Sequence, residues 1–377
     1  MQCKRRNLLK NASAALAGAS LIDSIRSRVV ADQSIKVGII TEPPGMHLTS
    51  YLKTLSTCQE VEQVAIADET GQTFEMVKQG LGARSTNLLT FLDYRKMVQV
   101  VRPKLVLISL EAHRTPYSIE VALEGNCHVL AEKPACARLT DFERVVRIAD
   151  SKNLHLMLAL ATRLSPPSIK ARELVQAGFL GKPYGTSMHW VADQRRLTRP
   201  LFHQSWLASK ARAGGGKLIF HGIHYLDLIQ FITGDRITQV CGFSRNVGGQ
   251  PIETEDAAVV ALQFKGGMVG TLNAGYYLDR GYDNLVVLWG SEGWLRFDQP
   301  NGTPLEWYST HRDAPKGIQS FTYSNEPKNY DLMFRNAVNV SRGIERPFVT
   351  AADCLHVLKV IFSAYRAAET GSAQTVG

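Results

Sequence analysis

Short apolar runs and amphipathic stretches alternate along the first half of the chain. Ser34-Ile35-Lys36-Val37-Gly38-Ile39-Ile40 is a strand-like run ending in a loop, and His47 to Leu55 has helical spacing. Val64-Ala65-Ile66-Ala67 is a second apolar run closed by Asp68, and helical spacing resumes before the buried-strand pattern of Pro103 to Ser109. Tyr117 to Glu124 reads as helix, Val129 to Ala131 as strand, Leu139 to Lys152 as helix and Leu154 to Leu160 as strand. Strands alternating with helices at this pace predict a parallel, doubly wound sheet. The fold class is therefore α/β.

The pattern changes after Arg163. Pro166 and Pro167 open an amphipathic helix carrying Ile169, Leu174 and Val175 on one face, stopped by Gly178 and Gly181. Later stretches (257–264, 268–274, 284–289, 294–297) are separated by glycine turns and predict an antiparallel meander. A last helix runs from about Asp353 to Ala368. The predicted organisation is a leader over 1–31, a Rossmann-type domain over 32–160 and a second α/β domain over 161–377 with an open, largely antiparallel sheet.

Composition adds little to this picture except at the amino end. With 45% hydrophobic and 20% charged residues the 377-residue chain has the make-up of a globular protein, and no apolar stretch has transmembrane length. Residues 1–31 carry Lys4, Arg5, Arg6, Lys10, Arg26 and Arg28 against Asp23, so +5 of the +9 net charge is local and +4 remains. No basic stripe interleaved with aromatics follows, which argues against a nucleic-acid partner. Arg5-Arg6-Asn7-Leu8-Leu9-Lys10, a weakly apolar run and Val29-Val30-Ala31 resemble a Tat export signal. That predicts a periplasmic protein exported folded through the Tat machinery; the alternative is a basic amphipathic helix that stays attached. Six cysteines show no paired spacing and read as small buried hydrophobes.

Two blocks carry candidate chemistry. In Gly125–Pro134 the apolar run Val129-Leu130-Ala131 leads into Glu132-Lys133-Pro134, which puts a charged pair at the carboxyl end of a strand, where open α/β sheets bind ligands. A cis Lys133–Pro134 bond is one way to hold the lysine; a solvated turn is the bland reading. In Ala213–Asp227, Gly214-Gly215-Gly216 lets backbone approach a ligand closely, and His221, His224 and Asp227 follow at helical spacing. Histidine is the natural base for an alcohol proton, and Asp227 either fixes its tautomer or pairs locally. A metal held by His221 and His224 lacks an indicated third ligand, so no metal is expected.

Together the blocks resemble the glucose–fructose oxidoreductase / inositol dehydrogenase (Gfo/Idh/MocA) family over about Lys36 to Gly371. The series is Glu132-Lys133-Pro134, Arg163…Pro166, Ala177–Lys182, Trp206…Gly214-Gly215-Gly216…His224-Tyr225-Leu226-Asp227, Glu255-Asp256-Ala257 and Ala364–Gly371. The resemblance implies a Rossmann domain, NAD(P)-linked chemistry on carbohydrates or polyols, and homo-oligomers through the C-terminal sheet. It makes Lys133 the catalytic lysine and His224 the catalytic histidine, with Arg163, His221 and Asp227 toward the substrate. Thr41, Gly45, Asp68, Ser109 and Glu132 are the candidate cofactor residues, and Asp68, the acid the resemblance keeps at the second strand, suits the ribose diol of NAD rather than NADP. Two departures stand out. Thr41-Glu42-Pro43-Pro44-Gly45 replaces the glycine-rich turn, and Phe220 replaces a frequent aspartate. Three functions stay open: an oxidoreductase retaining NAD tightly, an NAD-assisted lyase or glycosidase, and a carbohydrate-binding relative that has lost the dinucleotide.

Overall fold

A computed structural model describes residues 34–297, 305–324 and 328–377; the leader with its twin arginine and Cys3 lies outside the described residues. The first sheet is parallel, with order β3-β2-β1-β4-β5-β6: β1 Ile35–Thr41, β2 Val61–Ala67, β3 Leu89–Phe91, β4 Leu105–Ser109, β5 His128–Ala131 and β6 Leu156–Leu158. β4, β5 and β6 are buried along their whole lengths, as strands covered by helices on both faces must be. The strand order reverses between β1 and β4. The crevice outside their carboxyl ends is where such sheets receive ligands.

The second sheet has nine strands in the order β14-β13-β12-β11-β7-β10-β9-β8-β15. These are β7 Pro183–Asp193, β8 Ile237–Arg245, β9 Ala257–Phe264, β10 Val269–Leu278, β11 Tyr282–Gly290, β12 Gly293–Phe297, β13 Leu305–Ser309, β14 Gln319–Phe321 and β15 Gln374–Thr375. The expected simple meander is corrected at its centre. β7 lies between β10 and β11, parallel to the first and antiparallel to the second. Its sequence hides this, because only Thr186, Met188, Val191 and Ala192 of the strand are buried.

The carboxyl-terminal helices tie the halves together. Helix Asn329–Ser341 returns to the first domain, where Thr54 Oγ1 donates to Asp331 Oδ1 at 2.9 Å. Helix Ala351–Thr370 packs on both β8 and helix Leu139–Ser151, and one continuous apolar core spans the two domains. Cys58, Cys127, Cys136 and Cys354 are buried as expected, but Cys241 is exposed on β8.

Candidate active site

β5 ends at Ala131, and the chain turns through Glu132 into a cis Lys133–Pro134 bond. Lys133 is buried. Its Nζ donates to the Phe220 carbonyl at 2.7 Å and lies 3.9 Å from the centre of the Phe220 ring. Burial lowers its pKa to about 8, Glu132 opposing the shift and Arg196 adding to it. Glu132 Oε1 accepts the Tyr51 hydroxyl at 2.5 Å, and His47 Nδ1 sits 3.1 Å from the same oxygen without hydrogen-bond alignment. Glu132 Oε2 is buried without a partner.

The glycine run is required first by packing within the protein. A Cβ on Gly215 would stand 2.0 Å from the Tyr365 hydroxyl, and one on Gly216 would stand 2.0 Å from the Glu255 carbonyl oxygen. The buried Glu255 carboxylate accepts Gly216 N–H at 2.5 Å, Leu218 N–H at 2.9 Å and the Tyr365 hydroxyl at 2.8 Å. This clamp starts a π-helical turn, Leu218–Gly222, which runs into helix Ile223–Thr233. Such turns insert an extra residue into the helical register and re-aim side chains. Here both His221 and His224 reach one chamber with Lys133.

His224 is buried and its Nδ1 has no partner. Desolvation, then the Lys133 charge, then His47 hold its pKa well below the ordinary value, so the ring is neutral near pH 7. The tilted ring of Trp190 lies 5.4 Å from that of His224 and 5.3 Å from that of His221.

Arg163 and Asp227 are placed elsewhere than expected. Neither lines the chamber, and Asp227 does not bond His224. Asp227 accepts from Arg163 at 2.5 and 2.6 Å, and Arg163 also reaches Asp353 at 3.3 Å and the Phe348 carbonyl at 3.2 Å. Both partners are buried, and two charges brought so far out of water must satisfy each other. Asp227→Ala removes the bidentate partner of the guanidinium and leaves it Asp353 and the Phe348 carbonyl alone, and stability should fall by about 3–5 kcal/mol, read from denaturant midpoints. A loss below about 1 kcal/mol, the scale of an exposed pair, would contradict the pairing role.

The chamber has a volume of about 600 Å3. It accepts a ring and a small sugar, with His224 and Lys133 as polar anchors and Glu132 Oε2 unpartnered behind them. The phosphate end of the crevice is different. Pro43 and Pro44 have no N–H to offer, and Glu42 accepts Glu111 N–H and Arg114 Nη1, each at 2.5 Å. Arg114 also holds Glu69 at 2.6 Å, while Glu111 pairs with Arg212 across the domains. The adjoining space is about 140 Å3, and Glu42, Asp68, Glu69 and Glu111 line it with Arg114 as its cation.

Asp68 accepts Thr70 N–H and Oγ1 on one oxygen and Thr73 N–H and Oγ1 on the other, all between 2.8 and 2.9 Å. A ribose diol would have to displace one of those threonine hydroxyls, which corrects the simple reading of Asp68. Thr41 and Ser109 are also engaged internally, Thr41 Oγ1 donating to the Ser109 carbonyl at 3.3 Å and Ser109 Oγ to the Met46 carbonyl at 3.0 Å. Gly45 has φ +68°, which favours glycine there. The nicotinamide half of NAD thus fits the chamber, and the diphosphate half fits once Glu42 leaves Arg114. Removing one like charge beside a diphosphate predicts that Glu42→Gln tightens NAD binding about five- to tenfold in calorimetric titration, the ~1 kcal/mol of a charge pair at about 4 Å screened by water. Unchanged or weaker binding would contradict that assignment.

Sequence reasoning passes over His47, Trp190, Lys217 and Tyr330. Their signal is tertiary, since Trp190 lies on the unforeseen β7 and Tyr330 on the returning helix. Among the described residues no cluster of three or more His, Cys, Asp or Glu side chains could hold a metal ion.

Two family models match, one to each domain. The oxidoreductase family NAD-binding Rossmann fold matches residues 35–160, and the GFO/IDH/MocA C-terminal domain matches residues 168–296. The myo-inositol 2-dehydrogenase of Thermotoga maritima is 21% identical over 324 residues, covering 85% of this chain and 93% of that protein. An oxidoreductase domain protein from Kribbella flavida superposes with a TM-score of 0.79 at 22% identity, covering 92% of this chain and 100% of that one. The WlbA dehydrogenase from Bordetella pertussis, solved with NADH and UDP-GlcNAcA, superposes with a TM-score of 0.78 at 19% identity over 92% of this chain and 99% of its own. The chain belongs to the Gfo/Idh/MocA family of oxidoreductases, built on an NAD-binding Rossmann domain.

Proposed function

We propose that the protein interconverts an alcohol and a carbonyl on a small carbohydrate or polyol, with His224 as general base and Lys133 orienting the hydroxyl. One observation carries this reading. A buried, neutral histidine and a buried lysine of lowered pKa share a single chamber at the carboxyl end of β5. Lys133 Nζ exchanges its bond to the Phe220 carbonyl for the substrate oxygen and favours negative charge developing there. The His224 imidazole takes the hydroxyl proton as the carbonyl forms. NAD, when bound, supplies the hydride acceptor. The apolar walls from Trp190 and Phe220 keep bulk water from both groups. Appearance of reduced nicotinamide in a screen of neutral and acidic sugars tests the reaction; a net redox change separates it from an NAD-assisted lyase or glycosidase. The Glu42–Arg114 pair is the observation favouring the other reading, a carbohydrate-binding relative that no longer takes up dinucleotide.

The leader motif supports Tat export of the folded chain to the periplasm, with its nucleotide loaded beforehand and tightly retained. Perchloric-acid extraction of purified protein should release NAD. Association through the C-terminal sheet is supported by Phe243, Val259, Val269 and Trp289, all exposed and placed by register on one face.

A further inference from the structure

The chamber is lined by Lys133, Arg196 and Lys328, and among the described residues no aspartate or glutamate lines it. Behind it Lys217 is wholly buried, and its Nζ has no hydrogen-bond partner. Tyr276 links Arg196 and Lys217. Lys217 Nζ lies 4.3 Å from the centre of its ring, Arg196 Nη1 stands 3.4 Å from its hydroxyl, and His221 Nδ1 stands 3.5 Å from the same oxygen. Glu255 is the acid in the side cavity around Lys217, and the Gly216 and Leu218 N–H groups and the Tyr365 hydroxyl already occupy it. A buried polar nitrogen left without a hydrogen-bond partner is costly unless a ligand supplies one.

We propose that the substrate is a sugar acid, whose carboxylate is held between Arg196 and Lys217 at Tyr276 while its reacting hydroxyl faces Lys133 and His224. This deepens the oxidoreductase reading and rests on it. The side cavity at Lys217 is about 20 Å3, room for roughly one water-sized group. One carboxylate oxygen fits there. Burial, then Arg196, then Lys133 lower the Lys217 pKa to about 6, Asp193 opposing them, and the opposite charge of a carboxylate placed beside the amine favours its charged form.

Calorimetric titration of the full chain with glucuronate, galacturonate and gluconate against glucose, galactose and glucitol tests the assignment, with glucose 6-phosphate as a further arm. At least one acid should bind tenfold or more tighter than its neutral counterpart, and Lys217→Met should erase that difference. Arg196→Gln, at the chamber wall, should erase it too and covers the case in which the buried substitution fails to fold. Equal binding of every acid and its neutral counterpart overturns the proposal, as does a preference for the phosphate or one that survives both substitutions. Binding is read without turnover. Neutral polyols reduced or oxidised with no acid preference sink this inference alone, whereas acid binding with no nicotinamide chemistry sinks the oxidoreductase reading alone.

Discussion

Replacing His224 by alanine lowers kcat for sugar oxidation by ~10²–10⁴-fold, the range expected when a positioned general base is removed. The loss falls on kcat more than on KM, because the imidazole acts on the proton as the carbonyl forms rather than on the resting hydroxyl. NAD affinity, measured separately by titration, should stay within about twofold of wild type. A variant that keeps kcat and loses only KM would place His224 in binding instead. The neutral form of His224 is the base. Its pKa is held well below the ordinary value, so that form persists across the neutral range and is lost only as pH falls through the depressed value. No acid limb is therefore expected near the usual histidine range.

Replacing Lys133 by methionine keeps the bulk, removes the charge, and should cost ~10²–10³-fold in kcat/KM, an effect of the size seen on removing one oxyanion donor. Its charged form is present below about pH 8 and is lost as pH rises through that value. The wild-type rate should accordingly fall on the alkaline side near pH 8. Lys133→Arg keeps the charge to far higher pH, so whatever activity it retains should lose that limb. A Lys133→Met enzyme within tenfold of wild type would remove the lysine from the mechanism.

Much of this site is legible in the chain. β4, β5 and β6 of the first domain are buried on both faces and so stand out as continuous apolar runs, which puts Glu132-Lys133-Pro134 at a strand end, whereas the exposed edge strand β3 leaves no such run. His224 is legible as a candidate because it stands at helical spacing with His221 and Asp227 behind the glycine run, in a block that resembles the family's. What escapes the sequence does so for physical reasons. β7 presents polar residues on one face and lacks an apolar run, so the strand at the centre of the second sheet leaves no signal. The π turn that aims His221 and His224 together adds a residue to the period and leaves no mark on it. Arg163 and Asp227 are 64 residues apart, and nothing local announces that each exists for the other. Asp68 is instructive in the opposite way. Its capture by Thr70 and Thr73 is a local turn pattern written in Asp68-Glu69-Thr70-Gly71-Gln72-Thr73, where short-range side-chain to backbone bonds depend on nothing distant. Lys217 shows the limit, since a lysine looks solvated until the fold buries it.

The most direct test of the central claim is isotopic. Purified protein, NAD and a sugar oxidised in the screen, carrying deuterium at the reacting carbon, are incubated, and the nicotinamide is recovered for mass spectrometry. Deuterium on the reduced nicotinamide with wild-type protein, and its loss with Lys133→Met and His224→Ala, is the predicted result. Absence of deuterium with wild-type protein despite bound NAD and converted sugar, or equal transfer in the two variants, would contradict it.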